Sequence, residues 1–224
     1  MFQQQTRGEV DRRPIKLRSA KWSIVMARLL VRKGVTPNQV SVMSAVFAAV
    51  GALLLLLSTR LPGLGPILSF IGVALCIQLR LLCNLQDGLM AVECNKKSAH
   101  GDLFNELPDR ISDVLLLVAA GYAAQSGELG VTFGWLAAVL AVTTAYLRAF
   151  GARYSKAQDY SGPMAKPERM FMLTVGSLLT AVQYGCTAQT NMILVVLMII
   201  CLGAAITCVN RTVHIARAMG SEPC

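Results

Sequence analysis

The stretch Val40-Ser-Val-Met-Ser-Ala-Val-Phe-Ala-Ala-Val-Gly-Ala-Leu-Leu-Leu-Leu-Leu-Ser-Thr59 contains no formally charged side chain. A hydrocarbon core about 30 Å thick is crossed by about 20 mostly apolar helical residues, so this run alone is long enough to span a membrane. The same reading applies further along the chain. Leu61 to Leu79 and Leu129 to Leu147 are equally free of charge, and no charge falls between Met170 and Asn210, which is room for two spans. The polar patch from Gln183 to Asn191 divides that last stretch at a turn. Val114 to Gly127 is too short alone and becomes a span only if Asn105 to Asp113 continue the same helix. The expectation is an all-α integral membrane protein with six transmembrane helices, at about 39–59, 64–91, 105–126, 130–153, 170–187 and 191–215.

Composition agrees. The 224 residues are 54% hydrophobic and 15% charged, with a formal charge of +9 and a mean hydropathy of +0.55. Soluble domains carry roughly 25% charged residues. The balance excludes a disordered tail, a collagen-like fibre and a disulfide-stapled secreted module, and argues against nucleic acid as a partner, since a basic footprint there sits on a soluble fold.

The basic residues set the orientation. Arg7, Arg12, Arg13, Lys16, Arg18, Lys21, Arg28, Arg32 and Lys33 precede the first span. Lys96 and Lys97 lie in the second connection, Arg153, Lys156, Lys166 and Arg169 in the fourth, and Arg217 in the tail. The first connection has only Arg60; the third and fifth have none. This alternation predicts cytoplasmic N- and C-termini. The first 38 residues hold no uninterrupted apolar core of the kind a secretory signal needs. Arg18 to Lys33 reads as an amphipathic juxtamembrane helix, with Trp22, Val25, Met26 and Leu29 on one face, lying on anionic membrane lipids or serving simply as a positive anchor. The chain divides into a basic N-terminal segment (1–38), a six-helix transmembrane domain (39–217) and a short tail (218–224). The seven cysteines form no Cys-x-x-Cys pair and read as small apolar fillers. His100 and His214 lack ligand-spaced partners.

Ionisable groups inside membrane spans are costly and mark function by default. Here they gather in one place: Arg80, Asn84 and Asp87 late in the second span, then Asn105, Asp109, Arg110 and Asp113 opening the third. At about 100° per residue, Arg80, Asn84, Asp87, Gly88 and Ala91 share one helix face, and Gly101, Asn105, Asp109 and Asp113 form a second stripe. Two antiparallel helices offering carboxylate and amide oxygens suit a hard cation with a phosphate as co-ligand. The alternative is an ion-pair network of Arg80 with Asp87 and Arg110 with Asp113.

These residues resemble the signature of the CDP-alcohol phosphotransferases. That signature runs Asp-x-x-Asp-Gly-x-x-Ala-Arg, eight residues, Gly-x-x-x-Asp-x-x-x-Asp. Asn84-Leu-Gln-Asp87-Gly88-Leu-Met-Ala91-Val92, eight residues, and Gly101-Asp-Leu-Phe-Asn105-Glu-Leu-Pro-Asp109 match its spacing throughout. Asp87, Gly88, Ala91, Gly101 and Asp109 also match in type. Thr36-Pro37-Asn38, Asp109-Arg110-Ile-Ser-Asp113, Tyr146-Leu-Arg148-Ala149 and Gly162-Pro-Met-Ala-Lys166-Pro-Glu-Arg169 are similar to elements of the phosphatidylinositol-phosphate synthases. The resemblance covers about residues 12–217.

The resemblance implies a six-helix membrane enzyme of phospholipid biosynthesis in a bacterial inner (cytoplasmic) membrane, its active site on the cytoplasmic side. It would transfer a phosphatidyl group from a CDP-alcohol, CDP-diacylglycerol in this setting, to an alcohol acceptor with release of CMP. In the family, four carboxylates bind two divalent cations and the last is the general base. Here Asn84 and Asn105 replace two of them and Val92 replaces the Arg. The implied cofactor is Mg²⁺ or Mn²⁺, one ion or two and weakly held, on Asp87, Asp109, Asn84 and Asn105. Asp102, Glu106 or Asp113 could supply a missing carboxylate, with Asp113 on the right stripe. Asp109 would be the base. Gly88, Ala91 and Gly101 would let the nucleotide approach the backbone, though small residues also pack helices. Arg148, Lys166 and Arg169 would hold an anionic substrate or acceptor. A homodimer is implied by resemblance alone. The competing readings are a catalytically impaired protein of the same fold that binds lipid or nucleotide, and a small transporter, which would not explain the spacing of Gly88, Ala91 and Gly101.

Overall fold

The computed structural model describes residues 20–93, 101–154 and 159–220. Arg7, Arg12, Arg13, Lys16, Arg18, Lys96, Lys97, Lys156, Cys94, His100, Cys224 and tail residues 221–224 lie outside them, as do the side chains of Val92 and Asp102. The described residues form seven helices: α1 (Lys21–Arg32), α2 (Pro37–Ser58), α3 (Gly65–Glu93), α4 (Gly101–Ala123), α5 (Glu128–Gly151), α6 (Lys166–Thr187) and α7 (Asn191–Gly220). Among the described residues there is no strand.

The Thr36-Pro37-Asn38-Gln39 segment is a helix start. Thr36 Oγ1 accepts from the Gln39 backbone N–H at 3.3 Å, and Gln39 Oε1 accepts from the Thr36 N–H at 2.9 Å. This reciprocal box satisfies donors that a helix N-terminus otherwise leaves free. Pro37 fits the first helical position because its missing N–H has no intrahelical partner there. The helix α6 begins at Lys166, earlier than hydropathy suggests, because Pro167 in its first turn is tolerated for the same reason.

Six long helices close into a ring, each packing on its neighbours in the order α2, α3, α6, α7, α5, α4 and back to α2. Leu55, Phe70, Ile77, Leu116, Leu117, Leu173 and Leu197 fill the core. The outer face is apolar as well: Leu68 is 66% exposed and Leu202 68%. A surface of exposed Leu and Val is what a lipid-facing helix presents, and the chain is an integral membrane protein. Five helices, α2, α3, α5, α6 and α7, are long and apolar enough to cross a membrane. The expected sixth span differs. The helix α4 runs unbroken from Gly101 to Ala123, so residues 105–113 do continue it, but Glu106, Asp109, Arg110 and Asp113 keep its first half too polar to count with the others. Antiparallel to it, α3 is 29 residues long, about 43 Å at 1.5 Å per residue, longer than a hydrocarbon core of about 30 Å, with Asn84 and Asp87 in its C-terminal third.

Helix α1 packs on α3. It buries Ser23 and Ala27 and sets Ala27, with Leu30 and Val31, against Val40, Leu89 and Met90. Trp22, Val25 and Leu29 remain about half exposed on the other side.

Candidate active site

The ring places the charged ends of α3, α4 and α6 together, and long side chains bridge them. From α4, Asp109 is buried and its carboxylate is held by two other helices. Asn84 of α3 donates its amide N–H to Asp109 Oδ1 at 3.0 Å. A carboxylate only accepts, so this contact fixes which end of the Asn84 amide faces it. Arg80 approaches the same oxygen at 3.5 Å and donates to the Asp109 backbone carbonyl at 3.2 Å. From the first turn of α6, the Lys166 ammonium contacts Asp109 Oδ2. Asp87, one turn beyond Asn84 on α3, is 4% exposed. Its Oδ2 accepts from the Ser41 hydroxyl of α2 at 2.6 Å, while Oδ1 is buried and unpartnered among the described residues.

One turn deeper on α4, Asp113 is 1% exposed and clamped on both oxygens: Arg80 reaches Oδ1 at 2.6 Å and Arg169 of α6 reaches Oδ2 at 2.9 Å. Arg169 also donates to Thr144 Oγ1 at 3.1 Å and to the Met164 carbonyl at 3.0 Å. The ion pairs are therefore not the pairs that sequence spacing offered. Arg80 pairs with Asp113 and Asp109 rather than Asp87, and Arg110 pairs with Glu106 at 3.0 Å rather than Asp113. Helix neighbours of one chain segment were the only guide in the sequence, whereas α6 supplies half of the actual partners.

The segment leading into α6 is built to hold Lys166. Gly162 has φ +111°, and a Cβ there would lie 2.5 Å from Thr207 Cγ2. Only glycine combines that backbone with that approach. Two residues on, the Met164 N–H donates to Thr207 Oγ1 at 3.0 Å. Arg211 of α7, 3% exposed, donates to the Ser161 carbonyl at 3.1 Å and the Thr144 carbonyl at 2.5 Å. At the start of this segment Asp159 accepts from the Ser161 N–H at 2.8 Å and meets His214 at 3.0 Å. Partial burial works against its charge, but the Ser161 and His214 contacts outweigh it and hold the carboxyl below its ordinary range.

Of the expected residues, Asn84, Asp87, Asp109, Asp113, Lys166 and Arg169 converge here. Gly88 and Ala91 follow on the same α3 face, partly buried, and Gly101 is the first residue of α4. Asn105 is exposed one turn before Asp109. Arg148 lies at the edge, bonded to Glu106 at 2.5 Å, with its guanidinium 5.9 Å from the Tyr160 ring centroid. Ser41, Thr144, Glu106 as the Arg148 partner, and Arg211 went unnoticed in the sequence. A signal existed for Arg211, the first charge after the apolar run ending at Asn210.

No family model matches the chain. Over 153 residues it is 26% identical to the inner membrane protein YnbA of Escherichia coli (strain K12), covering 68% of this chain and 72% of that protein. Among solved structures, phosphatidylinositol phosphate synthase of Mycobacterium tuberculosis with CDP-DAG bound is similar at a TM-score of 0.72 and 21% identity, over 88% of this chain and 94% of that one. The chain has the fold of this synthase. The same enzyme with manganese and citrate gives a TM-score of 0.71 at 21% identity, over 86% of this chain and 88% of that one. This is the fold that the resemblance to the CDP-alcohol phosphotransferase signature implied.

A divalent cation is implied by the resemblance, and such an ion requires oxygen donors. Among the described residues no cluster of three or more His, Cys, Asp or Glu side chains could hold a metal on its own. Magnesium, however, is commonly bound through one or two carboxylates together with substrate phosphates. Asp87 Oδ1, without a partner among the described residues, and the amide oxygen of Asn84, three residues earlier on α3 and left over once its N–H is given to Asp109, would suit one ion of that kind.

Proposed function

We propose that this chain is a CDP-alcohol phosphotransferase, and that it moves a phosphatidyl group from CDP-diacylglycerol to an alcohol acceptor, releasing CMP. The observation that carries the reading is the placement of Asp109, held by Asn84, near Asp87 one turn along α3, inside the fold of a synthase whose structure contains CDP-DAG. In the step itself an acceptor hydroxyl oxygen forms a bond to the lipid-side phosphorus, the bond from that phosphorus to the CMP oxygen breaks, and the hydroxyl proton passes to Asp109. The donors from Asn84, Arg80 and Lys166 orient the Asp109 carboxylate for that transfer. A bound Mg²⁺ or Mn²⁺ would neutralise charge developing on the CMP leaving group. Lys166 and Arg148, each about one-fifth exposed at the side chain, are available to anionic groups of donor or acceptor. Arg169, 1% exposed, acts from behind them by holding Asp113 and Met164. The excess of Lys and Arg at this end of the ring supports a cytoplasmic site with cytoplasmic termini, in an inner membrane as for the relative YnbA.

The experiment is CMP release by the purified protein in detergent, with labelled CDP-diacylglycerol, Mg²⁺ or Mn²⁺ and a panel of alcohols. Release is expected with at least one acceptor, abolished by EDTA and reduced about 10²–10⁴-fold in Asp109→Ala, the usual worth of a general base. Retained nucleotide binding with no CMP from any acceptor would instead identify a binding protein of the same fold.

A further inference from the structure

We propose that Lys166 takes the place of a second metal cation in this site, so that the site takes a single divalent cation, on the Asp87 side. The inference rests on the transferase reading above and deepens it. Three observations lead to it. First, Asp109 already has its charge compensated on both oxygens, each of which keeps a lone pair for a hydroxyl proton. Asn84 and Arg80 occupy Oδ1, and the Lys166 ammonium occupies Oδ2. A metal ion arriving at Asp109 would sit against the Lys166 ammonium and the Arg80 guanidinium, both of the same sign of charge as the ion. Second, Asp87 is the reverse case: one oxygen is held by Ser41, and the other is buried with no partner among the described residues. An unpaired buried carboxylate oxygen is costly unless a cation or donor reaches it. Third, Lys166 is not a stray surface lysine. It opens α6 directly after a segment fixed by the Gly162 approach to Thr207, by the Met164 N–H on Thr207 and by Arg169 on the Met164 carbonyl.

Charge counting points the same way. Two carboxylates and one ammonium leave a single negative charge. One divalent ion makes the site positive by one, which favours a pyrophosphate. A second would make it positive by three, beside the buried Arg80 guanidinium. Asn84 and Asn105 then follow as consequences. Once an ammonium stands at Asp109, two further carboxylates would be needed only for a second ion, and an amide at 84 can do what a carboxylate cannot, donate to Asp109.

The test counts bound Mn²⁺ by electron paramagnetic resonance on the purified full chain with CDP-diacylglycerol present. Wild type is expected to bind one Mn²⁺ per chain, and Asp87→Asn to lose it. Restoring Asn84→Asp and Asn105→Asp while Lys166 remains is expected to leave the count at one. Adding Lys166→Gln to that pair is expected to raise it to two. Two ions, or none, on wild type would overturn the proposal without recourse to any variant, as would a second ion on the restored pair with Lys166 intact. The two readings fail separately: CMP release with two ions bound would sink this inference and leave the transferase, whereas one ion with no CMP from any alcohol would sink the transferase reading alone.

Discussion

Asp113 illustrates how a residue can belong to a site without touching what binds there. Its two oxygens are taken by Arg80 and Arg169, at 2.6 and 2.9 Å, and the three groups come from α3, α4 and α6. The clamp thereby sets the positions of Asn84 and Asp109, one turn away on α3 and α4, and of Lys166 on α6. Removing one partner of a buried ion pair is expensive because the other charge stays behind without compensation. Asp113→Asn leaves two guanidiniums facing a neutral amide, and we expect it to lose about 3–5 kcal/mol, read as a lowered thermal midpoint in detergent. An unchanged midpoint would show that Asp113 is not a structural clamp and return it to the list of possible metal ligands. The stripe Asn105, Asp109, Asp113 was legible from its four-residue spacing. The partner of each acid was not, because that depends on α6, and nothing in a local window says which distant helix will face it.

At the scale of elements, α4 is two helices in one. Its first half carries the acids, and its second half is apolar and small, where it crosses α5. A Cβ on Gly121 would lie 2.6 Å from the Gly130 carbonyl oxygen and 2.9 Å from Gly134 Cα. The obstacle is backbone, which cannot swing aside like a side chain, so the helices touch only because all three positions are glycine. Gly121→Val should force the pair apart and cost about 1–3 kcal/mol, the usual range for overpacking a close contact. The thermal midpoint should fall, while donor binding at the far end of α4 survives in the cold. Loss of donor binding with an unchanged midpoint would contradict this division of labour. Hydropathy found the apolar half of α4 and of α6 but started both helices late, at 105 and 170 rather than 101 and 166. The charged first turns look like loops to a hydropathy window, although they are the turns that carry Lys166 and the entry to Asp109.

For the whole molecule, charge is distributed by end rather than by helix. Among the described residues, Lys21, Arg28, Arg32, Lys33, Arg148, Arg153, Lys166, Arg169, Arg211 and Arg217 lie toward the end of the ring that holds Asp109, against Arg60 alone at the other. That asymmetry sets orientation during insertion, and it makes a prediction that needs no activity. Cys186 is exposed at the end of α6 remote from Lys166, about 30 Å away along the axis at 1.5 Å per residue. The buried Cys76 and Cys201 are shielded. A membrane-impermeant maleimide added to intact cells should therefore label the protein at Cys186, and Cys186→Ser should remove that label. Opening the membrane should then restore labelling through cysteines toward the other end, such as Cys208. If Cys186→Ser in intact cells still reacts while the wild-type Cys186 does not, the molecule sits the other way up. The charged end would then face outward, away from cytoplasmic CDP-linked donors. Labelling bears on the chemistry in one direction only: a site oriented toward the cytoplasm could still lack a transferable substrate, whereas a site facing outward could not draw on a cytoplasmic one.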